Sequence, residues 1–143
     1  MAQRWSDDAL ARLRATSGRG GAARRAVVEY LGRQNCCLSA QEIYDGVRGG
    51  GLRVGIASVY RALEGLDRGG LVQRIDLGDG VARFEPVLPD GEHHHHFVCD
   101  DCGKVEPFED PALEVALERI AGGRGYEVEA HDVVLRGACG SCR

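Results

Sequence analysis

The stretch Leu71-Val-Gln-Arg-Ile-Asp-Leu-Gly-Asp-Gly-Val-Ala-Arg-Phe-Glu85 decides the fold of the first half of the chain. Two short runs that favour extended structure flank Gly78-Asp-Gly80, and this pattern predicts a β-hairpin. The residues before the hairpin predict three short helices separated by glycine-marked turns. A hairpin that directly follows a helix-turn-helix indicates the wing of a winged-helix domain.

Each of the three helices has its own sequence signal. Residues 22–31 carry an apolar side of two valines and a leucine. Residues 56–66 carry an apolar side of one valine and two leucines. Between them, Ser39-Ala-Gln-Glu42 has the pattern of a capping box, in which Ser39 accepts from the first turn and Glu42 reaches back. That middle helix is predicted to end at Gly49-Gly-Gly51.

The second half of the chain combines a strand, a helix and a second strand. His93-His-His-His96 leads into the strand-like Phe97-Val-Cys99, and Asp110-Pro111 predicts the start of a helix that continues to Ala121. Tyr126 to Leu135 alternates as a strand does. We expect three apolar residues of the helix to face inward: Leu113, Leu117 and Ile120.

Charge is distributed unevenly along a chain whose net charge is -4. Residues 1–85 carry 13 Arg against 10 acidic residues, whereas residues 86–143 carry 5 basic against 12 acidic residues. A basic half suits phosphates and an acidic half suits divalent cations, although a solvated surface of mixed charge explains the numbers equally well. The chain has no long apolar run and no apolar leader, so we expect a cytoplasmic protein without a membrane partner.

Four of the six cysteines form two pairs, Cys99-Asp-Asp-Cys102 and Cys139-Gly-Ser-Cys142. Two intervening residues allow both thiolates of a pair to bind one ion, and two such pairs make a closed tetrahedral four-cysteine site for structural Zn²⁺. The alternatives are a redox dithiol and two unrelated pairs. A redox pair needs a thioredoxin-like strand and helix, and the sequence has no such context.

The four consecutive histidines are candidate metal ligands. In a strand, alternate side chains face opposite sides, so His93 and His95 would serve one site and His94 and His96 another. The alternatives are an expression tag, which an internal run of four does not resemble, and a solvated polar loop. Each site needs further ligands, and the candidates are Glu114, His131, Glu85 and Cys37.

These motifs together resemble the ferric uptake regulator family along nearly the whole chain. The matching segments are Ser39-Ala-Gln-Glu-Ile-Tyr44, Gly55-Ile-Ala-Ser-Val-Tyr-Arg-Ala-Leu63, His93-His-His-His-Phe-Val-Cys-Asp-Asp-Cys-Gly103 and the closing cysteine pair. The resemblance implies an α+β protein that represses metal-uptake genes by binding double-stranded operator DNA as a homodimer when metal is bound. It also implies a winged helix-turn-helix at residues 1–85, a hinge at 86–92 and a small α/β dimerisation domain with the four-cysteine zinc site at 93–143.

The resemblance further implies two metal sites besides the four-cysteine site. One lies within the dimerisation domain and falls on His93, His95, Glu114 and His131. The other, the regulatory site between the domains, falls on Glu85, His94 and His96 together with Cys37, which stands where the family usually has a histidine.

The cysteine at position 37 bears on which metal is sensed. Iron and manganese sensors use nitrogen and oxygen ligands, whereas a thiolate favours zinc, so the zinc uptake regulator branch is preferred over a sensor of Fe²⁺ or Mn²⁺. Some zinc regulators place an aspartate and a cysteine around the wing, where this chain has Gln73 and Glu85-Pro86, with Asp76 as a spare candidate. Alternatively, Cys37 is a small buried hydrophobe.

For DNA, the resemblance favours groove and phosphate contacts from the third helix. The candidates there are Ser58, Tyr60 and Arg61, with Arg68 nearby. We expect arginines elsewhere to hold phosphates: Arg24 and Arg25 on the first predicted helix, and Arg74 or Arg83 on the wing. For any single arginine, a solvated surface charge is the competing explanation.

Two other classes of protein compete with a repressor. A zinc hydrolase would use an open site with a His-Glu-x-x-His helix, and a deaminase would show His-x-Glu with Pro-Cys-x-x-Cys; the sequence has neither motif, so we do not expect an enzyme. A zinc store or chaperone would not require the helix-turn-helix and wing that occupy more than half of the chain.

Overall fold

The structure is a computed structural model that describes residues 2–18, 20–34, 36–88 and 94–143, without the side chains of residues 2, 3 and 17. The chain divides into two compact units, Met1–Glu92 and His93–Arg143. Within the described residues, no helix is both long enough and apolar enough to cross a membrane.

The first unit is a winged helix. Its elements are α1 (Ala2–Ser17), α2 (Ala22–Gly32), β1 (Leu38–Ser39), α3 (Ala40–Gly49), α4 (Ile56–Arg68), β2 (Val72–Asp76) and β3 (Ala82–Pro86). The strands form an antiparallel sheet in the order β1-β3-β2, in which β2 and β3 are the predicted hairpin. The fold class predicted from the sequence is confirmed for this unit.

The predicted local signals produce the expected geometry. The Ser39 hydroxyl accepts from the amide of Glu42 at 3.1 Å, and the Glu42 carboxylate accepts from the Ser39 amide at 3.1 Å, so the capping box is complete. In the wing, the Asp76 carboxylate accepts from the amide of Gly78 at 2.8 Å. Asp76 therefore shapes the turn, and Gly78 and Gly80 supply the positive φ angles of 87° and 78° that the turn needs.

Helix α1 was missing from the predicted elements. Trp5, Ala9 and Leu13 recur at intervals of four and are all buried, so α1 contributes one side of the core. The indole Nε1 of Trp5 donates to the carbonyl of Leu71 at 3.0 Å, which ties α1 to the start of the wing. The four-residue spacing was the signal in the sequence that could have revealed this helix.

Pro86 was assigned to the hinge, and that assignment is wrong. Pro86 is the last residue of β3, where it pairs with Val72 of β2. The other neighbour of β3 is β1, which reaches only as far as Phe84 and Arg83. In the described part of the chain no strand pairs with Pro86 on the β1 side, so the lack of an N–H on proline costs no hydrogen bond of the sheet there.

The second unit contains β4 (His95–Cys99), β5 (Val105–Phe108), α5 (Pro111–Gly123) and β6 (Val134–Gly137). The sheet order is β5-β4-β6, with β4 antiparallel to β5 and parallel to β6. Helix α5 begins as predicted, because the Asp110 carboxylate accepts from the amides of Ala112 and Leu113.

Two predictions for this unit are wrong. The strand predicted from Tyr126 to Leu135 is present only as β6, because Val134 is the first residue paired with β4, and β5 occupies the other edge of β4. Ile120 does not face inward, since 54% of it is exposed, whereas Leu113 and Leu117 are half-buried. Among the described apolar residues of this unit, Cys99 alone is buried. The second unit therefore has almost no apolar core of its own.

Candidate metal centres and nucleic-acid interface

The four paired cysteines come together at one end of the second sheet. Cys99 ends β4 and lies opposite Gly137 of the parallel strand β6, so each cysteine pair begins at the same end of the sheet. The four sulfurs of Cys99, Cys102, Cys139 and Cys142 lie within 4.8 Å of one another. Their positions follow from the pairing of two strands, one from each end of the unit.

The donor set of this cluster fits a tetrahedral zinc site. The Sγ atoms of Cys102 and Cys139 are 3.9 Å apart. With Zn–S bonds of about 2.3 Å, the edge of a tetrahedral thiolate site is about 3.8 Å. Four thiolates leave no position open for a substrate, so such an ion would hold the two cysteine pairs together and take no part in a reaction.

Backbone amides prepare the cluster for a cation. Hydrogen bonds from the amides of Cys102 and Cys139 lower the pKa of the Cys99 thiol to about 6, and the amide of Cys139 lies 3.3 Å from that sulfur. Hydrogen bonding with the other thiols, Cys139 first, raises the pKa of Cys142 to about 12. One thiol of the metal-free cluster thus ionises easily, and an ion would displace the remaining protons.

A second cluster ties α5 to β4. The Nε2 atoms of His95 and His131 lie 2.5 and 2.6 Å from the two carboxylate oxygens of Glu114. Burial is the largest single influence on the pKa of Glu114 and acts to raise it, but the hydrogen bonds from both rings together outweigh it and lower the pKa. His93, the fourth predicted residue of this site, lies outside the described residues. His131 precedes β6 by three residues, so its assignment to the final strand is wrong.

The hydrogen bonds of His95 bear on whether this cluster takes a metal. The amide of Val133 donates to Nδ1 of His95 at 3.2 Å, so in the neutral ring the proton is on Nε2, the atom that faces Glu114. A ligating histidine normally has the opposite arrangement, with its second nitrogen donating a proton. In this arrangement the two rings brace Glu114, and the ligand atoms of the three side chains also lie within 4.8 Å of one another, which is close enough to share one ion.

The four predicted regulatory ligands are divided between the units. In the first unit, Cys37 and Glu85 are both buried, and Cys37 immediately precedes the strand pair in which Leu38 lies opposite Phe84. Hydrogen bonding with the Cys36 thiol, followed by burial and the charge of Glu85, raises the pKa of Cys37. That thiol stays protonated until a cation replaces the proton.

In the second unit, the two predicted ligands differ in their surroundings. Nε2 of His94 lies 2.9 Å from a carboxylate oxygen of Glu109, so the imidazole is held from the side of β5. His96 is buried in β4, and its amide donates to the carbonyl of Val133 at 3.1 Å.

The predicted DNA-reading side chains project from α4. Val59, Ala62, Leu63 and Leu66 bury one side of this helix, and Tyr60 and Arg61 lie on the exposed side, with 51% of Tyr60 accessible. Ser58 is half-buried, and its hydroxyl accepts from the Arg61 guanidinium at 3.0 Å. Arg61 is therefore held over the first turns of the helix, where groove contacts are commonly made.

The predicted phosphate contacts are not equally available. Arg74 is exposed on β2, and Arg25 is exposed with only a 3.7 Å contact to Glu29. Arg24 donates to the carbonyl of Gly18 at 2.9 Å. Arg83 pairs with Asp79 at 2.8 Å, and this hydrogen bond lowers the pKa of Asp79 to about 2. Arg74 and Arg25 are the better phosphate candidates.

Comparisons with known proteins agree on one family. The profile of the Ferric uptake regulator family matches residues 15–136. The chain is 38% identical over 106 residues to the ferric uptake regulation protein of Bordetella parapertussis, covering 74% of this chain and 75% of that protein. It is 32% identical over 142 residues to the peroxide operon regulator of Bacillus subtilis, covering 99% and 96%.

A solved structure is similar over nearly the full length of the chain. The ferric uptake regulator of Helicobacter pylori, described as having three functional metal-binding sites, has a TM-score of 0.83 with this chain at 25% identity. The alignment covers 99% of this chain and 93% of that one.

Proposed function

This chain belongs to the ferric uptake regulator family of metal-responsive transcription regulators, and we propose that the metal it senses is zinc. It is a DNA-binding repressor rather than an enzyme. The observation that carries the choice of zinc is the buried thiol of Cys37 beside Glu85. Thiolate ligands favour zinc over iron(II) and manganese(II), which suit nitrogen and oxygen ligands. The alternative is an iron- or manganese-responsive regulator in which Cys37 only packs.

We propose that the regulatory ion binds Cys37 and Glu85 of the first unit and His94 and His96 of the second. A thiolate, a carboxylate and two imidazoles make a suitable tetrahedral zinc set. Ligands drawn from both units would couple metal binding to the arrangement of the DNA-binding helices. The metal then shifts the population of the protein towards the arrangement that fits the operator, by as much as its affinity differs between the two states.

A homodimer is the assembly that suits this function. The second unit exposes several large apolar side chains although its own core is thin: Phe97, Val115, Ile120, Tyr126, Val128 and Leu135. An apolar surface of this kind is typical of a subunit interface. A symmetric dimer would present two α4 helices to successive major grooves, about 34–36 Å apart. Because the target is the bacterial chromosome, we place the protein in the cytoplasm.

For the two remaining centres we propose different roles. The four-cysteine cluster holds a structural Zn²⁺. The cluster of His95, Glu114 and His131 braces α5 against β4 in the metal-free state, and it takes an ion only if the Val133 amide releases Nδ1 of His95. Zinc-saturated protein should therefore contain two ions per chain, whereas three would show that this cluster is also a metal site.

Variants at the regulatory ligands test the proposal. The probe is a duplex selected from random sequences by the zinc-loaded wild-type protein, and binding is measured over graded free zinc. We expect Cys37→Ser and His94→Ala to require much more zinc for operator binding while circular dichroism stays unchanged. The control is His131→Gln, which removes a histidine outside the proposed set and should keep the wild-type zinc dependence. Unchanged zinc dependence in both Cys37→Ser and His94→Ala would refute the assignment.

A further inference from the structure

The function proposed above uses Cys37 but leaves its neighbour Cys36 without a role. We propose that Cys36 replaces the Glu85 carboxylate as a ligand of the regulatory ion, so that Cys36 and Cys37 bind one thiophilic divalent cation as a pair and the two histidines complete the tetrahedral set. This inference rests on the proposed function, because it concerns the same ion, and it adds a residue that determines metal specificity.

The distance between the two sulfurs carries the inference. The Sγ atoms of Cys36 and Cys37 are 3.8 Å apart. Both cysteines are free thiols in the structure. Two thiolates that share a tetrahedral zinc ion at about 2.3 Å from each are separated by about 3.8 Å. The thiols therefore already have the separation that a shared ion requires.

The four-cysteine cluster of the same chain provides an internal comparison. The Cys102 and Cys139 sulfurs of that cluster are 3.9 Å apart. The spacing of these cysteines in the sequence and the grouping of the four sulfurs both indicate one shared ion. The separation of Cys36 and Cys37 differs from that distance by only 0.1 Å. Consecutive residues of extended chain point to opposite sides, so two adjacent cysteines do not reach this separation through regular strand geometry.

The backbone on both sides holds the pair in place. Helix α2 ends at Gly32, and the Gln34 amide still donates to the Leu31 carbonyl at 3.1 Å. On the other side, Leu38 lies opposite Phe84 in the first sheet. Cys37 is buried and Cys36 is half-buried, so the pair is partly accessible through Cys36.

A second thiolate changes which ions the site prefers. Replacing a nitrogen or oxygen ligand by sulfur moves the preference away from iron(II) and manganese(II) and towards zinc and its heavier congener cadmium. With one thiolate the site could still accept iron. With two it should discriminate strongly, and Cys36 would then set the selectivity of the sensor.

Cadmium(II) is the probe for the test, because thiolate-to-cadmium charge transfer in the ultraviolet reports the thiolates bound. Full-length protein with its four-cysteine cluster filled by one equivalent of zinc is titrated with cadmium(II), and zinc release is followed so that exchange at the cluster is subtracted. Wild type should gain the band of two thiolates, Cys36→Ser and Cys37→Ser should each gain about half of it, and the double variant should gain none. Zinc affinity should fall by more than about tenfold in Cys36→Ser.

The inference would be overturned if Cys36→Ser kept the full-intensity charge-transfer band and the wild-type zinc affinity. Cys36→Ala is the control for binding of the metal by the serine hydroxyl. Operator binding is measured on the same samples. If no metal induces operator binding in the wild type while the band still halves in Cys36→Ser, the proposed function fails and the two-thiolate site stands. If zinc induces operator binding but the band ignores Cys36, the function stands and this inference fails.

Discussion

Removing zinc from the four-cysteine cluster should unfold the second unit and leave the first unit folded. Among the residues that the structure describes, the first unit buries 19 apolar residues and the second buries only Cys99. Structural zinc contributes about 10–16 kcal/mol in small zinc domains, which is comparable to the whole net stability of about 5–15 kcal/mol of an ordinary domain. Without an apolar core to compensate, the loss of the ion should exceed the stability of the second unit.

The chain offers a convenient assay for this difference. Trp5 is the one tryptophan of the sequence and is buried in the first unit, so its fluorescence reports that unit alone. Hydrogen exchange read by mass spectrometry reports the second unit. After exhaustive chelation, verified by metal analysis, exchange in residues 94–143 should become fast while Trp5 emission stays that of a buried indole. Cys142→Ser should behave as chelated wild type and the neighbouring Ser141→Ala as zinc-loaded wild type. Retained protection in residues 94–143 of verified zinc-free protein would refute the reasoning.

Three further predictions concern single side chains. Ser39→Ala removes the acceptor of the capping box and should lower the free energy of unfolding by about 1 kcal/mol in urea titrations, whereas Glu42→Gln keeps the box and should cost less. The ordinary pKa of Glu114 lies above its folded value, so its contribution to stability is present at neutral pH and is lost as pH falls through the folded pKa. Thermal melts should show a smaller loss on acidification for Glu114→Gln than for wild type, and equal losses would contradict the brace. Because the homodimer presents Arg74 twice, Arg74→Ala should reduce the salt slope of operator binding by about 2, and an unchanged slope would show that Arg74 contacts no phosphate.

Local signals made the first unit predictable from its sequence. The capping box at Ser39 and the Gly-Asp-Gly turn act within a few residues, so α3 and the hairpin appear where the pattern placed them. Helix α1 is missed because the four-residue spacing of Trp5, Ala9 and Leu13 lies within a polar and arginine-rich segment. Pro86 is wrongly assigned to the hinge because a strand tolerates proline where the neighbouring strand does not extend as far as the proline. The length of the neighbouring strand is set by the sheet and cannot be read from the local sequence.

The second unit shows where pattern reasoning fails. The side chains from Tyr126 to Leu135 alternate as they do in a strand, but a strand also needs a neighbouring strand with which to form hydrogen bonds. Only the residues from Val134 onward pair with β4. Ile120 and Val128 are exposed because the chain gives this unit too little to pack against. The cysteine spacing, in contrast, was informative because Cys-x-x-Cys constrains the sulfurs whatever the surrounding fold.

The most direct test of zinc sensing is operator binding by protein that holds zinc in its four-cysteine cluster alone, measured at buffered concentrations of free zinc, iron(II) or manganese(II). Fluorescence anisotropy of the selected duplex gives the fraction bound at each concentration. The account predicts that zinc restores binding at a free concentration far below that needed for iron(II) or manganese(II). Restoration by iron(II) or manganese(II), with zinc ineffective at any concentration, would contradict it and leave Cys37 as a packing residue.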